Sequence, residues 1–194
     1  FSEDSYGEEY LKAYTANSVR KPVIKALCLH IAHDCNLRCK YCFASTGDFG
    51  TSRTLMSAET GKKAIDFLLE KSGSRRNLEV DFFGGEPLLN FETVKRIVDY
   101  ARNRESEAGK NFRFTLTTNA TLLNKEHKDF INKYIGNVVL SIDGRPEVND
   151  KMRTRIDGRG TYNDILPKIK DIADSRGQDR YYVRGTFTRN NTDF

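Results

Sequence analysis

Cys35, Cys39 and Cys42 stand in the run His33-Asp34-Cys35-Asn36-Leu37-Arg38-Cys39-Lys40-Tyr41-Cys42, a C-x3-C-x2-C spacing that directly follows an apolar stretch. Three thiolates this close together can grip three corners of a cubane iron–sulfur cluster, because such clusters are held by cysteine thiolates. They leave the fourth iron without a local ligand. An iron with an open position can bind and transform a ligand, whereas a fully ligated cluster mainly moves electrons. The competing use of these residues is structural zinc, which takes four tetrahedral ligands, commonly from two C-x2-C pairs or one pair with two histidines. Here there is one C-x2-C pair, with a third cysteine ahead of it and His33 as the local candidate for a fourth position. The remaining cysteine, Cys28, lies inside the preceding strand pattern and reads as a buried small apolar residue. So few cysteines, three of them clustered, do not make a disulfide framework; they suit a reducing compartment and a cytoplasmic protein.

The residues that must position this loop follow a regular alternation. Strands are expected at Leu27–Ala32, Leu78–Phe83, Phe112–Thr117, Asn137–Ile142 and Tyr181–Thr188, with helical stretches between them. Val94, Ile97, Val98 and Ala101 recur at helical spacing, as do His127, Phe130, Ile131 and Tyr134. Ser57 and Asn90 are the expected N-caps of the first two helices, and Pro167 should kink or split the last. His127 reads as a boundary packing residue on its stripe. Strands alternating with helices imply right-handed βαβ units and a parallel sheet.

The two faces of these strands differ. One carries Leu27, Leu29, Ile31, Leu78, Val80, Phe82, Phe112, Phe114, Leu116, Val138, Leu140 and Ile142, and should meet the helices. The other carries His30, Glu79, Asp81, Arg113, Thr115, Thr117, Ser141, Asp143, Arg184, Thr186 and Thr188. A sheet covered on both faces would be near-continuously apolar. The polar face therefore predicts a partial parallel (β/α) barrel with a ligand-filled interior, an α/β fold with five strands visible in this chain. Functional residues of such folds gather at the C-terminal strand ends, where the cysteines, Gly84-Gly85-Glu86, Asn119, Ser141 and Asp143 fall.

Phe83-Gly84-Gly85-Glu86-Pro87 ends the second expected strand. Two residues without Cβ let the backbone bend and approach a ligand closely; an ordinary βα turn is the plainer use of the same sequence. Ser141-Ile142-Asp143-Gly144 is likewise a turn signal when taken alone. The stretch from Gly144 to Gly160 is long for a βα connection and carries Arg145, Arg153, Arg155 and Arg159. Loops of that length are usually functional or mobile.

Taken together, these segments resemble the radical S-adenosylmethionine enzymes, from about Ala26 onward. The run from His33 to Ala44, Asp81-Phe82-Phe83-Gly84-Gly85-Glu86-Pro87-Leu88, and Leu140-Ser141-Ile142-Asp143-Gly144 are similar to the peptide maturases with a C-terminal SPASM or twitch domain. With Gly47-Asp48-Phe49-Gly50, they most resemble the thioether-forming maturases of six-cysteine (SCIFF) peptides. The resemblance implies a 4Fe-4S cluster on Cys35, Cys39 and Cys42, with S-adenosylmethionine on its open iron. It implies cofactor contacts from Tyr41 near the adenine, Gly84, Gly85 and Glu86 at the methionyl amino group, Asn119, and Ser141 and Asp143 near the ribose. Either Arg153 or Arg184 would pair with the methionyl carboxylate.

The implied chemistry is reductive cleavage of the sulfonium to a 5′-deoxyadenosyl radical, hydrogen abstraction from a threonine α-carbon, and a Cys-to-Thr thioether cross-link in a ribosomally made peptide. The alternatives within the same chemistry are an anaerobic sulfatase-type maturase and an RNA-modifying enzyme; outside it stands a non-enzymatic Fe–S or zinc module. The implied partners are a cysteine-rich precursor peptide and a low-potential electron donor such as flavodoxin or ferredoxin. The catalytic proton acceptor has no assigned residue.

Length and composition bound the rest. A chain of 194 residues is most simply one domain. Residues 1–22 read as a leading segment or linker and 23–194 as the core. Phe1 in place of an initiator Met, and an end directly after an apparent strand, suggest a piece of a longer protein. Its peptide-recognition domain and auxiliary 4Fe-4S clusters would lie outside this chain. No apolar run approaches the roughly 20 residues that cross a bilayer, so no membrane association is expected. The net charge of +5 is spread along the sequence, and nucleic acid is not the expected partner.

Overall fold

The computed structural model describes residues 7–9, 12 and 23–192. Most of the leading segment expected at 1–22 lies outside the described residues; those described within it are helical. The core begins with β1 (Ala26–His33), β2 (Leu37–Cys39), β3 (Thr54–Leu55), α1 (Ala58–Lys71) and β4 (Asn77–Gly84). A 3-10 turn (Pro87–Asn90) leads into α2 (Phe91–Ala108), then β5 (Asn111–Thr118), α3 (Lys125–Tyr134) and β6 (Asn137–Ser141). The chain continues through α4 (Pro146–Met152), β7 (Arg153–Arg155), α5 (Tyr162–Ser175) and β8 (Tyr181–Arg184).

The main sheet has the order β3-β1-β4-β5-β6-β8. β1, β4, β5, β6 and β8 run parallel, with β3 antiparallel at one edge. This is the partial (β/α) barrel expected from the alternating elements. Its helices cover one face only. Ile31, Leu78, Val80, Phe82, Phe114, Leu116, Val138 and Leu140 are fully buried there, against Ile65 and Leu68 of α1, Ile97 of α2, Ile131 of α3 and Ile165 of α5. On the opposite face Cys28, Asp81, Arg113 and Arg184 are exposed. The single-sided pattern is thus explained by burial: apolar side chains cluster where helices exclude water, and polar ones face the open interior.

Several expectations change in detail. Cys28 is exposed, not buried, because it shares the inward parity of His30 and lies beside Asp81 in the register of β1 and β4. The last strand stops at Arg184 instead of Thr188; Thr188 forms an isolated bridge with Asn191. Ser57 caps α1 by accepting from the Thr60 amide at 3.1 Å. Asn90 occupies the cap position of α2, but its side-chain amide donates to the carbonyls of Ile31 and Met56, each at 2.9 Å. It ties β1 to the start of α1. Helix α5 runs unbroken through Pro167, so the expected split does not occur. Among the described residues, no helix is long and apolar enough to cross a membrane.

Candidate active site

The three cysteines belong to a loop laid across the C-terminal ends of β1, β4 and β5. Its first fastening is main-chain contact with the end of β4. The Gly85 amide donates to the Ala32 carbonyl at 2.7 Å, and the Glu86 amide to the Asp34 carbonyl at 2.8 Å. A Cβ on Gly85 would lie 2.1 Å from the Asp34 carbonyl oxygen and 2.7 Å from that of Gly47. Gly47, at a φ of +91°, comes so close to the loop that a Cβ there would sit 2.3 Å from the Cys35 Cβ. Neither position has room for a side chain, and the obstacles are backbone or Cβ atoms that cannot swing aside. The Gly-Gly turn is therefore needed for the docking of the cysteine loop itself, a use beyond the βα turn and the ligand approach expected from the sequence.

The second fastening comes from the long connection after β6. It is ordered as α4 and β7, and β7 pairs antiparallel with β2: Leu37 with Arg155, Arg38 with Thr154, and Cys39 with Arg153. The Lys40 amide adds a bond to the Met152 carbonyl at 2.9 Å. Beneath this pair, Tyr41 donates to Asp143 Oδ2 at 2.6 Å and accepts from Arg153 Nη1 at 2.9 Å. Asp143 is fully buried; its other oxygen accepts from the Thr186 amide at 3.0 Å, and its own amide donates to Asn149 Oδ1. Burial pushes the Tyr41 hydroxyl up to about 12, with Asp143 reinforcing and Arg153 opposing. The hydroxyl thus stays protonated and serves as a bridge.

These fastenings surround a cavity of about 330 Å³. Cys35, Cys39, Tyr41, Cys42, Gly84, Gly85, Glu86, Asn119, Ser141, Arg153 and Arg184 border it. Of the candidate residues only Asp143 does not line the cavity; it stands behind Tyr41. Glu86 is fully buried, and its carboxylate accepts from the Leu88 amide (3.0 Å), the Thr118 hydroxyl (2.8 Å) and the Asn119 amide (2.8 Å). Burial raises its pKa, and these three donors oppose the shift. Arg153 is buried with its Nε unpartnered, whereas Arg184 is exposed at the rim with its guanidinium 5.8 Å from the Phe83 ring centre. His30, Phe49, Phe83 and the largely exposed Phe43 extend this rim as an aromatic wall, with His30 and Phe49 stacked at 4.6 Å.

Sequence reasoning did not single out Asn36 or Thr121. Asn36 Nδ2 donates to the Thr121 hydroxyl at 2.8 Å, and Asn119 Nδ2 to Asn36 Oδ1 at 2.9 Å, stitching the cysteine loop to the end of β5. The usable signal was their position: Asn36 adjoins a cysteine of the motif, and Thr121 follows the Asn119 strand end.

Zinc would need its ligands to converge within about 2.3 Å of one point. Among the described residues, no group of three or more His, Cys, Asp or Glu side chains converges to hold a single metal ion. Three thiols, none in a disulfide, border one cavity, and three thiolates can hold three corners of a cubane cluster. Burial, with Glu86 and the other two cysteines, pushes Cys35 up to about 12. Metal ligation supplies the positive charge that a buried thiolate lacks here. The residues present fit a 4Fe-4S cluster, and the unpartnered Arg153 Nε is a donor awaiting an anionic ligand.

From the packing of the turn, Gly85→Ala should prevent the loop from docking. The expected outcome is loss of most reconstituted iron with helical circular dichroism retained, since the obstructed atoms belong to the loop and not to the helix-covered core. Iron analysis beside the spectrum checks this, and full iron content in the variant would contradict it.

Residues 25–167 match the family described as 4Fe-4S single cluster domain. An uncharacterized protein of Methanocaldococcus jannaschii is 36% identical over 143 residues, covering 74% of this chain and 46% of its own length. The radical SAM cyclopropyl synthase TigE of Paramaledivibacter caminithermalis is 26% identical over 163 residues, 78% of this chain and 33% of TigE. Among solved structures, anSMEcpe with bound AdoMet superposes with a TM-score of 0.72 at 22% identity, over 84% of this chain and 43% of that one. The same protein with AdoMet and the Cp18Cys peptide gives 0.70 at 21% identity, over 84% and 42%. This chain thus spans less than half the length of each. With the family match covering most of the core, the chain belongs to the radical S-adenosylmethionine enzymes, and its cofactors are a 4Fe-4S cluster and S-adenosylmethionine.

Proposed function

We propose that the chain is the cofactor-binding core, residues 23–194, of a peptide maturase that forms a Cys-to-Thr thioether in a cysteine-rich ribosomal peptide. The observation that carries the enzymatic part is the arrangement of Cys35, Cys39 and Cys42 around one cavity with the buried, partly unpartnered Arg153. The peptide part is supported by the motif resemblance, by the aromatic rim beside the cavity, and by anSMEcpe, which shares the fold and has been solved with a peptide bound. When bound, the cluster and S-adenosylmethionine supply a radical able to abstract hydrogen from the substrate. The protein's part is binding, orientation and exclusion of side reactions.

In this reading the three cysteines hold the cluster and Arg153 binds the methionyl carboxylate. Its Nη1 is occupied by Tyr41 and its Nε is unpartnered, so the guanidinium is oriented before the ligand arrives. Gly84 and Gly85 border the amino group, with Glu86 supplying negative charge from a fixed carboxylate. Ser141 faces the ribose, and Asp143 acts on the site through Tyr41. A low-potential flavodoxin or ferredoxin would supply electrons in the cytoplasm. Auxiliary clusters and peptide recognition belong to the remainder of a longer protein.

Arg153→Lys keeps a charge but loses the planar fork. It should weaken S-adenosylmethionine binding roughly 10- to 150-fold, the range expected for losing a charge-assisted bond. Arg184→Lys should weaken it by no more than about twofold, within the range of exposed ion pairs. Equilibrium binding to the reconstituted enzyme distinguishes the two, and a larger loss at Arg184 would reverse the assignment.

The reaction itself is tested with the full-length enzyme and a precursor peptide encoded beside it. The product should be lighter by two hydrogens and resistant to disulfide reductants. Deuterium at the threonine α-carbon should appear in 5′-deoxyadenosine, because orientation in the site determines which hydrogen is reached. Label leaving a cysteine β-carbon would instead assign a sulfatase-type maturase, and modified RNA with unmodified peptide would assign an RNA enzyme.

A further inference from the structure

Asn119 stands at the end of β5, where the sequence suggested a contact with S-adenosylmethionine. Its side chain is already committed elsewhere. Oδ1 accepts from the Thr121 amide at 3.0 Å and from the Thr121 hydroxyl at 2.6 Å. Turning the amide over would set its N–H groups against those two donors, so its orientation is locked. Nδ2 is thereby directed at the cysteine loop. One of its hydrogens goes to Asn36 Oδ1 at 2.9 Å and the other to Cys35 Sγ at 3.8 Å. Asn36 closes the ring by donating to the Thr121 hydroxyl at 2.8 Å. Cys35 Sγ accepts a second bond from the Leu37 amide at 3.4 Å. Asn119 and Thr121 are each buried to 7% exposure, so these bonds are little screened by water.

We propose that Asn119 is a positioning residue of the cluster: its locked amide donates to Cys35 Sγ, fixes that corner of the site and holds the cluster's reduction potential up. The inference rests on Cys35 being a cluster ligand. Hydrogen bonds to the sulfurs are among the determinants of an Fe–S potential. Reduction adds one electron, and its negative charge is shared by the sulfur ligands. A donor at Cys35 Sγ therefore stabilises the reduced form more than the oxidised one. Thr121 and Asn36 act one step further out, by holding the amide in the donating orientation.

The experiment is an EPR-monitored dithionite titration of the reconstituted wild-type protein, Asn119→Ala and Thr121→Val, with iron content measured in each. Asn119→Ala should shift the one-electron reduction equilibrium toward the oxidised cluster by about five- to tenfold, a tenfold change being 59 mV. Thr121→Val removes the hydroxyl that donates to Oδ1 and accepts from Asn36, while the backbone amide at 121 still donates to Oδ1; the loosened donor should shift the equilibrium about twofold in the same direction. An unchanged potential in Asn119→Ala at full iron content overturns the proposal. If Asn119→Ala does not retain four irons, Thr121→Val decides: a shift toward oxidised supports the proposal and no shift overturns it. A wild-type protein that holds no four-iron cluster defeats the functional reading itself, a result distinguishable from an unshifted potential.

Discussion

The site depends on one close contact, the seating of the cysteine loop against the Gly84-Gly85 turn at the end of β4. Main-chain bonds from Gly85 and Glu86 to Ala32 and Asp34 hold the loop on the sheet, and the absence of a Cβ lets the two backbones meet. Glu86, the next residue, then reaches across to Thr118 and Asn119 and fixes the end of β5 to the same turn. The turn thus sets the distance between the thiols and the neighbouring strand ends. A displacement there would move the thiols relative to the ends of β4 and β5.

The opposite side is fixed by different means. β7 pairs with β2, and the Tyr41–Asp143–Arg153 chain crosses beneath that pair. Asp143 and Arg153 are both buried, an arrangement that would be costly if either charge lacked partners. Tyr41 joins them, so a residue between two cysteines of the motif is also the bridge between β6, the loop and β7. Positive charge is consequently held beside the cavity before any ligand enters. An exposed arginine such as Arg184 lacks that preorganisation.

Much of this architecture is written in local pattern. The one-sided apolar alternation of β1, β4, β5 and β6 forecast both the helix-covered face and the open interior, because burial on one side is all that the pattern encodes. Strand ends were legible for the same reason, so the cysteines, Gly84, Gly85, Ser141 and Arg153 could be gathered from residue types and the family resemblance before any contact was known. What stayed hidden were the interactions made across long sequence separations. Nothing local says that Gly85 meets Asp34 and Gly47, that segment 153–155 pairs with 37–39, or that Asn36 closes a ring with Asn119 and Thr121. Cys28 faces the open interior despite its apolar character, because strand period, which it shares with His30, decides the face. The last strand is shorter than its alternation suggests, because Thr186 and Thr188 continue the pattern after the pairing with β6 has ended.

The central claim is that the three cysteines leave one iron of a bound cluster open to S-adenosylmethionine within this cavity. Electron–nuclear double resonance on the reduced, reconstituted protein tests it directly, using S-adenosylmethionine labelled with nitrogen-15 at the amino group and oxygen-17 at the carboxylate. The account predicts hyperfine coupling from both labels, as direct ligation of the open iron requires. A reduced cluster that shows neither coupling at saturating S-adenosylmethionine would contradict it.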